Sequence, residues 1–228
     1  MSAQIDLYGA GTSNVYKIEL LLDELGIEYN FHQVNIMAGD QFKPEFLKIS
    51  PNNKVPAIVD NTLSPPLNLF ESGAILTYFA EKEHKFLPDQ SHPRERAQVF
   101  QWLNHQVSGF GPFFGQYAHF LYFAPEKSEY SIKRYTNELI RLLNVIDTQL
   151  KDNTYIAGNE YTIADIAYWG WALYLPYMGA DADIQFNDEA KYVNIKRWLN
   201  LLSQRPPVAK LLAKIQETMK SRNIQKKY

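Results

Sequence analysis

Two stretches decide the fold: Pro51-Asn52-Asn53-Lys54-Val55-Pro56-Ala57-Ile58-Val59-Asp60 and, eleven positions later, Glu71-Ser72-Gly73-Ala74-Ile75. Pro56 opens an apolar segment. Because proline has no N–H to donate to a sheet, it belongs at the first residue of a strand or at an edge. If the Val55–Pro56 bond is cis, as X-Pro bonds in tight turns can be, the N–H and C=O of Val55 point outward and can pair with an extended peptide.

The second stretch begins a helix with an acidic residue and a serine. The N–H groups of a first helical turn have no partner within the helix, and the helix dipole favours an anion there. A site that holds both a peptide backbone and a carboxylate indicates a small peptide as the ligand.

The composition is that of an ordinary globular protein. The chain has 228 residues, 46% of them hydrophobic and 21% charged, enough for two small domains with their own cores. Its formal net charge of −2 gives no field that would attract nucleic acid or an anionic membrane. The chain contains no cysteine, which excludes disulfides, thiolate metal sites and a redox thiol carried by this chain.

The sequence contains no signal that would direct the protein to a membrane or out of the cell. Met1 to Asp6 lacks the basic and apolar regions of a signal peptide, and no stretch approaches the roughly eighteen apolar residues of a membrane span. We therefore expect a cytoplasmic protein with no membrane partner. The basic segment from Lys220 to Tyr228 is predicted to be a solvated, frayed terminus.

Hydrophobic spacing and turn residues predict a βαβαββα order in the first part of the chain. The predicted elements are the strand Ile5–Tyr8, the helix from Asn14 to Gly26, the strand Tyr29–Asn35, the helix Gln41–Lys48, the hairpin of Ala57–Asp60 and Leu67–Phe70, and the helix Glu71–Glu81. This order is typical of a thioredoxin-like domain, which we assign to residues 1–83. Residues 84–93 are polar and are interpreted as a linker, and residues 94–228 are predicted to form an all-helical domain.

Three motifs resemble those of a known family. The chain is similar to glutathione transferases, in which a cis-proline turn holds the cysteinyl backbone of glutathione and a Glu/Gln-Ser step holds its γ-glutamyl end. The closest resemblance is to the bacterial Nu-class branch of glutathione-dependent disulfide-bond oxidoreductases, which is related to a fungal nitrogen regulator. The motifs are Lys48-Ile49-Ser50-Pro51-Asn52-Asn53-Lys54-Val55-Pro56-Ala57-Ile58-Val59-Asp60, Phe70-Glu71-Ser72-Gly73-Ala74-Ile75-Leu76 and Tyr161-Thr162-Ile163-Ala164-Asp165-Ile166-Ala167.

The loop from Gly9 to Asn14 is the expected position of the reactive group. Redox members of thioredoxin-like folds place a Cys-x-x-Cys here, and the absence of sulfur means that the ligand must bring the thiol. The resemblance implies that Thr12 and Asn14 stabilise the glutathione thiolate and are catalytic; alternatively, they only cap the helix. Ser13 and Tyr8 are rival candidates, since other transferase classes use a serine in this loop or a tyrosine near the end of the first strand.

The resemblance also implies the residues that bind glutathione. The backbone of Val55, next to Pro56, would pair with the ligand, Glu71 would meet its ammonium, and Ser72 would meet its α-carboxylate. Other positions that match the family or lie beside its motifs are ambiguous, because each can also be solvated surface or a local turn residue: Gln41, Asn53, Lys54 and Arg134.

Two further patterns lie in the second domain. Thr162-x-x-Asp165 is predicted to be a capping box, with Tyr161 and Ile166 as its hydrophobic staple. The aromatic run from Phe110 to Phe123 is either core and subunit contact or one wall of a second-substrate pocket. The tryptophans and tyrosines that follow are assigned to the core: Trp169, Trp171, Tyr174 and Tyr177. The five histidines show no spacing typical of a metal site.

We therefore predict a glutathione-dependent enzyme, with reduced or oxidised glutathione as a substrate and no other cofactor. Its thiolate would reduce a disulfide or attack a small electrophile. The expected assembly is a homodimer. The alternative function is a non-catalytic regulatory or adaptor protein, and a nucleic-acid factor is disfavoured by the charge.

Overall fold

The computed structural model describes residues 3–178 and 183–222. The last six residues of the predicted basic tail, 223–228, lie outside these ranges. Across the described helices, none combines the length and the apolar character needed to cross a membrane.

The first domain is a four-stranded mixed sheet with helices on both faces. Strand β1 is parallel to β2 and antiparallel to β3, and β4 is antiparallel to β3, giving the order β2-β1-β3-β4. The predicted thioredoxin-like order is thus confirmed. The elements are β1 Ile5–Gly9, α1 Ser13–Leu25, β2 Tyr29–Gln33, α2 Pro44–Leu47, β3 Ala57–Asp60, β4 Leu67–Phe70 and α3 Ser72–Lys82.

Several boundaries differ from the predicted ones. The helix expected over residues 41–48 is divided into a 3-10 turn, Asp40–Phe42, and the short α2. Lys43 separates them in an extended conformation, with φ −67° and ψ 142°, because the residue before a proline disfavours the helical region. Helix α3 begins at Ser72 rather than at Glu71, which is its N-cap residue.

Helix α1 is the element on which the two domains meet. It ends as predicted at Gly26, whose φ of +72° is the left-handed conformation that glycine adopts easily. The side chains from Val15 to Leu22 are all buried. On the side away from the sheet, α1 packs against helices of the second domain. Arg205 of that domain forms a bidentate ion pair with Glu24 of α1, at 2.6 and 2.8 Å.

The described part of the second domain is helical. A π turn, residues 106–110, joins its first two helices, and a second, residues 119–123, follows. The predicted all-helical class is confirmed. The helices are α4 Pro93–His105, α5 Gly111–Ala118, α6 Glu129–Lys151, α7 Ile163–Ala172, α8 Val193–Ser203 and α9 Pro206–Arg222.

The predicted capping box at the start of α7 is confirmed. Thr162 Oγ1 accepts from the N–H of Ala164 at 3.3 Å, and Asp165 Oδ2 accepts from the N–H of Thr162 at 3.0 Å. The other oxygen of Asp165 accepts from the N–H of Ile156 and from Trp198 Nε1, both at 2.9 Å. This buried carboxylate therefore fixes α7 to two other parts of the domain.

The aromatic run is largely core of the single chain. Phe110, Phe114, Tyr117 and Leu121 are buried, so they are not left for a partner or a pocket. Phe123, at the end of the run, is 60% exposed. The assignment of Tyr177 to the core was wrong: it is 47% exposed, because it lies in the 3-10 turn Leu175–Met178 beyond the end of α7.

Candidate active site

The predicted site residues of the first domain converge on one edge of the sheet. Ala57, at the start of β3, pairs with Tyr8 near the end of β1 and with Phe70 at the end of β4. The turn before β3, the loop after β1 and the residue that follows β4 therefore lie side by side. The topology thus brings the three predicted parts of the site together.

The loop after β1 carries a hydroxyl without a hydrogen-bond partner. Thr12 is the N-cap residue of α1, with an extended backbone at φ −134° and ψ 154°. Its side chain makes no capping hydrogen bond, and Oγ1 is buried with no partner among the described residues. The Thr12 side chain therefore does not cap the helix. Because an unpaired buried hydroxyl is unfavourable, this oxygen is suited to a ligand.

Asn14 is oriented by the second domain. Trp171 on α7 donates its Nε1–H to Asn14 Oδ1 at 3.0 Å. Because an indole N–H can only donate, the Asn14 oxygen must face it, and the amide N–H₂ is the end left for other contacts. Trp171 was assigned to the core, but it is half-buried and fixes a residue of the candidate catalytic loop. Its ring packs against Phe114 of α5, with centroids 5.6 Å apart.

The turn before β3 exposes a pair of backbone groups. The Val55–Pro56 bond is cis. Within residues 3–178 and 183–222, the N–H and C=O of Val55 form no hydrogen bond. The preceding residue is held in place, since Ser50 Oγ donates to the carbonyl of Lys54 at 2.9 Å. This edge therefore offers one donor and one acceptor at a fixed position.

The step from β4 into α3 is strained. Glu71 has φ 72° and ψ 115°, in a region that side chains with a Cβ rarely adopt. Such conformations cost about 1–3 kcal/mol and cluster at ligand sites. The Glu71 carboxylate is exposed and accepts from Asn52 Nδ2 at 3.3 Å, whereas Ser72 is buried at the first turn of α3. Carboxylate, hydroxyl and helix N-terminus are thus adjacent, as predicted.

Of the ambiguous residues of the first domain, one is a turn residue and two have polar groups without a partner among the described residues. Asn53 has φ 48° and donates its N–H to the carbonyl of Ser50 at 2.9 Å, which is the geometry of a local turn. Lys54 is exposed and forms no ion pair with any described residue. Gln41 donates Nε2 to the carbonyl of Ile36 at 3.2 Å, while its Oε1 is buried without a partner in the described part of the chain.

Arg134 is on α6, in the second domain. It lines a groove between α5 and α6, together with Phe113, Lys133 and Arg141. Arg141 is paired with Glu138 at 2.6 and 2.9 Å, whereas Arg134 has no ion pair among the residues described. Phe113 and Gly115 are two positions apart, roughly 200° around a helix. The groove and the Trp171 contact are therefore on different sides of α5.

The two rivals of Thr12 and Asn14 differ in their surroundings. The ring of Tyr8 stacks on His32 at 4.6 Å and packs against Phe46, so it is a packed aromatic side chain on the α2 face of the sheet. Burial, followed by the charge of Asp6, raises the pKa of Tyr8, so the phenol keeps its proton. Ser13 is buried at the first position of α1, beside the candidate loop, and remains a rival.

A buried polar group under the site was not predicted. Lys17, one turn after Ser13, is 1% exposed and donates to Gln106 Oε1 at 2.6 Å and to Ser72 Oγ at 3.4 Å. Gln106 is fully buried in the π turn after α4. A signal was present, because the run Val15-Tyr16-Lys17-Ile18-Glu19-Leu20-Leu21-Leu22 places a lysine in a nearly apolar helix. Across the described residues, no group of three or more acidic or histidine side chains is arranged for a metal ion.

The comparisons with known proteins agree with this geometry. Models of the glutathione S-transferase N-terminal and C-terminal domains match residues 3–81 and 110–206. The disulfide-bond oxidoreductase YfcG of Escherichia coli strain K12 is 44% identical over 215 residues, covering 93% of this chain and 96% of that protein.

Two solved structures are similar over nearly the whole chain. A glutathione transferase from Pseudomonas putida, with one glutathione disulfide bound per subunit, has a TM-score of 0.83 and 39% identity, covering 92% of this chain and 91% of that one. A glutathione transferase family member from Pseudomonas fluorescens, with two glutathione bound, has a TM-score of 0.84 and 39% identity, covering 92% of each chain.

Fold and site together define a two-domain protein with a thioredoxin-like first domain, whose sheet edge carries the candidate site, and a helical second domain. The chain belongs to the glutathione S-transferase family, and the family predicted from the sequence is confirmed. The roles of the individual site residues remain predictions.

Proposed function

We propose that this protein is a glutathione-dependent enzyme that stabilises the thiolate of glutathione at Thr12 and Asn14. One observation carries the proposal: Trp171 holds the Asn14 amide by its oxygen and leaves the N–H₂ for other contacts, while Thr12, two residues earlier, carries a buried hydroxyl with no partner among the described residues. Both groups lie at the N-terminus of α1, where the helix dipole favours an anion. The chain has no sulfur nucleophile of its own, so the reactive thiol comes from the ligand.

The energetic requirement on the site is modest. A free thiol has a pKa of about 8.5, and each unit by which the pKa is lowered corresponds to about 1.4 kcal/mol in favour of the thiolate. Hydrogen bonds to a charged acceptor contribute about 1.5–3 kcal/mol each. Two donors and a helix N-terminus are therefore sufficient to make the bound thiol largely ionised at neutral pH.

We assign the remaining groups of glutathione to residues at the same edge of the sheet. The N–H and C=O of Val55, next to Pro56, pair with the cysteinyl backbone in the manner of strand addition. Glu71 binds the ligand ammonium, and Ser72 with the N-terminus of α3 binds the γ-glutamyl carboxylate. Lys54 and Gln41 are candidates for the glycyl carboxylate, since Lys54 is an exposed cation. The role of Asn53 in binding is to shape the turn.

The thiolate supports two reactions. In disulfide reduction, the first glutathione thiolate attacks one sulfur of the substrate, forms a mixed disulfide and releases the other half as a thiolate. A second glutathione then attacks the mixed disulfide, forming oxidised glutathione and releasing the second substrate thiolate. In conjugation, the thiolate attacks a small electrophile and displaces its leaving group. Disulfide reduction is favoured here, because the Escherichia coli relative is a disulfide-bond oxidoreductase.

Parallel turnover measurements test the proposal. A glutathionyl-capped disulfide and a halonitrobenzene acceptor are each offered to the enzyme with reduced glutathione. We expect turnover of the disulfide, and turnover of both substrates would place conjugation at the same site. A folded protein that is inert toward both substrates would contradict the proposal and favour the alternative, a regulatory or adaptor protein.

Thiol-blocking reagents give an independent check. Because the chain has no cysteine, disulfide turnover should be unchanged after the enzyme is treated with iodoacetamide and excess reagent is removed. Loss of activity after this treatment would mean that a contaminating thiol enzyme was being measured.

The finer assignments belong to the same proposal. The chain is a Nu-class enzyme, because its motifs match that branch of the family. It acts in the cytoplasm, where reduced glutathione is abundant enough to drive the reaction. No cofactor other than glutathione takes part, and neither nucleic acid nor a membrane is a partner.

Arg134 is proposed to meet the second half of oxidised glutathione. The support is that Arg134 forms no ion pair among the described residues and lines a groove with two other cations, Lys133 and Arg141, and with Glu138, the carboxylate that Arg141 binds. We expect Arg134→Ala to weaken oxidised glutathione about 2- to 5-fold and to leave reduced glutathione nearly unchanged, since an exposed ion pair contributes about 1 kcal/mol or less. Calorimetric titration of both ligands measures this, with Lys151→Ala on the same helix as a control. Equal weakening of both ligands would contradict the assignment.

The protein is further proposed to be a homodimer. Large apolar side chains are exposed on both domains: Met37 (93%) and Phe42 (61%) on the first, Phe123 (60%) and Tyr130 (76%) on the second. A two-fold contact between the first domain of one subunit and the second domain of the other would bury both groups.

Sedimentation velocity at micromolar concentration tests the assembly. We expect twice the monomer mass of 26.4 kDa. Phe42→Lys should shift the protein toward monomer, whereas Leu63→Lys, at a residue that is 44% exposed in the β3–β4 turn, should not. A wild-type protein that sediments at the monomer mass would rule out the dimer.

A further inference from the structure

Lys17 is a buried amine that pairs directly with no carboxylate among the described residues. Its side chain is 1% exposed, and its ammonium donates to Gln106 Oε1 at 2.6 Å and to Ser72 Oγ at 3.4 Å. Within residues 3–178 and 183–222 it forms no ion pair. An isolated buried charge is unfavourable unless it is paired or hydrogen-bonded. Two neutral acceptors satisfy part of this need and leave the charge uncompensated.

The packing around Lys17 is built to enclose it. Gly170 on α7 lies directly over the side chain, and a Cβ at that position would be 2.7 Å from Lys17 Cγ. Only glycine allows α7 to approach so closely. A methionine at position 17 would fill a similar volume without a charge, so the lysine is not explained by packing.

The groups that surround Lys17 include one carboxylate, which does not contact it directly. Glu71, at the N-cap of α3, is the ionisable group whose charge acts on Lys17, and it is exposed and bonded to Asn52. The π turn presents the neutral Gln106, and α7 presents Gly170. Burial lowers the pKa of Lys17 to about 7, although the Glu71 charge opposes the shift. A proton is therefore held weakly while no further anion is near.

We propose that Lys17 is a positioning residue for glutathione, acting through Ser72 on the α-carboxylate of the γ-glutamyl group. Because the ammonium donates to Ser72 Oγ, the hydroxyl hydrogen of Ser72 is free to be donated to an anion at the N-terminus of α3. The bound carboxylate in turn supplies the missing negative charge for Lys17. This inference rests on the proposed function, because it requires glutathione to bind at Ser72.

The first experiment needs no variant. Binding of S-methylglutathione, whose thiol cannot ionise, is measured calorimetrically near pH 7 in buffers of different ionisation enthalpy. If the ligand carboxylate stabilises the charged form of Lys17, binding should take up a fraction of a proton, of the order of one half. Binding without proton uptake would overturn the inference.

The second experiment identifies the ligand group. Wild type and Lys17→Met are titrated with S-methylglutathione and with its analogue in which the γ-glutamyl α-carboxylate is replaced by hydrogen. We expect Lys17→Met to weaken S-methylglutathione about 10- to 100-fold and the analogue less than about 2-fold. It should also abolish the proton uptake. Lys210→Met, an exposed lysine on α9, is the matched control and should change neither ligand.

The possible outcomes distinguish a failure of the proposed function from a failure of the inference about Lys17. A wild-type protein that binds no S-methylglutathione would contradict the proposed function itself. Equal weakening of both ligands by Lys17→Met would mean that Lys17 has only a structural role, while the proposed function stands. If Lys17→Met does not fold, the proton uptake of the wild type decides.

Discussion

Replacing Asn14 by alanine should lower turnover about 10- to 150-fold while the affinity for glutathione changes little. The loss follows from removing one donor to a charged sulfur, which contributes about 1.5–3 kcal/mol to the thiolate and to the transition state that it forms. Affinity should be kept because the peptide is held elsewhere, at Val55 and Ser72. Thr12→Ala should act in the same direction, because its hydroxyl, which has no partner among the described residues, is the other side-chain donor proposed for the thiolate. Steady-state kinetics with varied glutathione separates kcat from KM.

Two controls make the result specific. Trp171→Phe removes the indole donor but keeps most of the ring, so Asn14 loses its orientation and turnover should fall by less than in Asn14→Ala. In the Asn14→Ala background the Trp171→Phe change should have almost no further effect, because the two residues act as a unit. Ser13→Ala should leave kcat nearly unchanged. A large loss only in Ser13→Ala would show that the serine is the catalytic residue.

Replacing Asp165 by alanine should cause a large loss of stability. Its carboxylate is fully buried and accepts from the N–H groups of Ile156 and Thr162, from Thr162 Oγ1 and from Trp198 Nε1, at 2.9 to 3.2 Å. Alanine would leave several buried donors unpaired, at about 1–3 kcal/mol each. We expect the free energy of unfolding to fall by about 3–5 kcal/mol, measured by urea denaturation.

The size of this effect distinguishes a network from a simple cap. Thr162→Ala removes the side-chain cap of α7 and only one of the donors to Asp165, so it should reduce the free energy of unfolding by about 1–2 kcal/mol. Asp152→Ala, at an exposed acidic residue after α6, should change it by less than about 0.5 kcal/mol. A change below about 1 kcal/mol in Asp165→Ala would mean that other groups or water satisfy the buried donors.

The sequence predicts features that depend on neighbours along the chain. The cis bond before Pro56, the capping box at Thr162 and Asp165, and the left-handed Gly26 each follow from a few adjacent residues, and all three are present. The sheet edge on which the site is built follows from the βαβαββα order. Local patterns predicted the ends of helices less well. An example is the 3-10 turn before Pro44, where the residue preceding the proline interrupts the predicted helix.

The groups that the sequence did not predict depend on contacts between distant residues. Trp171 and Asn14 are 157 positions apart, and Lys17 and Gln106 are 89 positions apart. Periodicity assigns Trp171 to the core and gives no reason to place a lysine beside a glutamine of another domain. The first contact arises because α7 packs on α1, and the second because the π turn after α4, which packs on α7, is within reach of the Lys17 side chain. The position of Arg134, on the other side of α5 from Trp171, likewise follows only from packing.

A pH titration of the thiolate absorbance of bound glutathione tests the central claim most directly. With the enzyme in excess over glutathione, the absorbance near 240 nm is followed from acid to alkaline pH and compared with free glutathione under the same conditions. We expect the pKa of the bound thiol to lie at least about one unit below that of the free thiol, and to rise again in Asn14→Ala. A bound thiol that titrates like the free one would contradict thiolate stabilisation by Thr12 and Asn14.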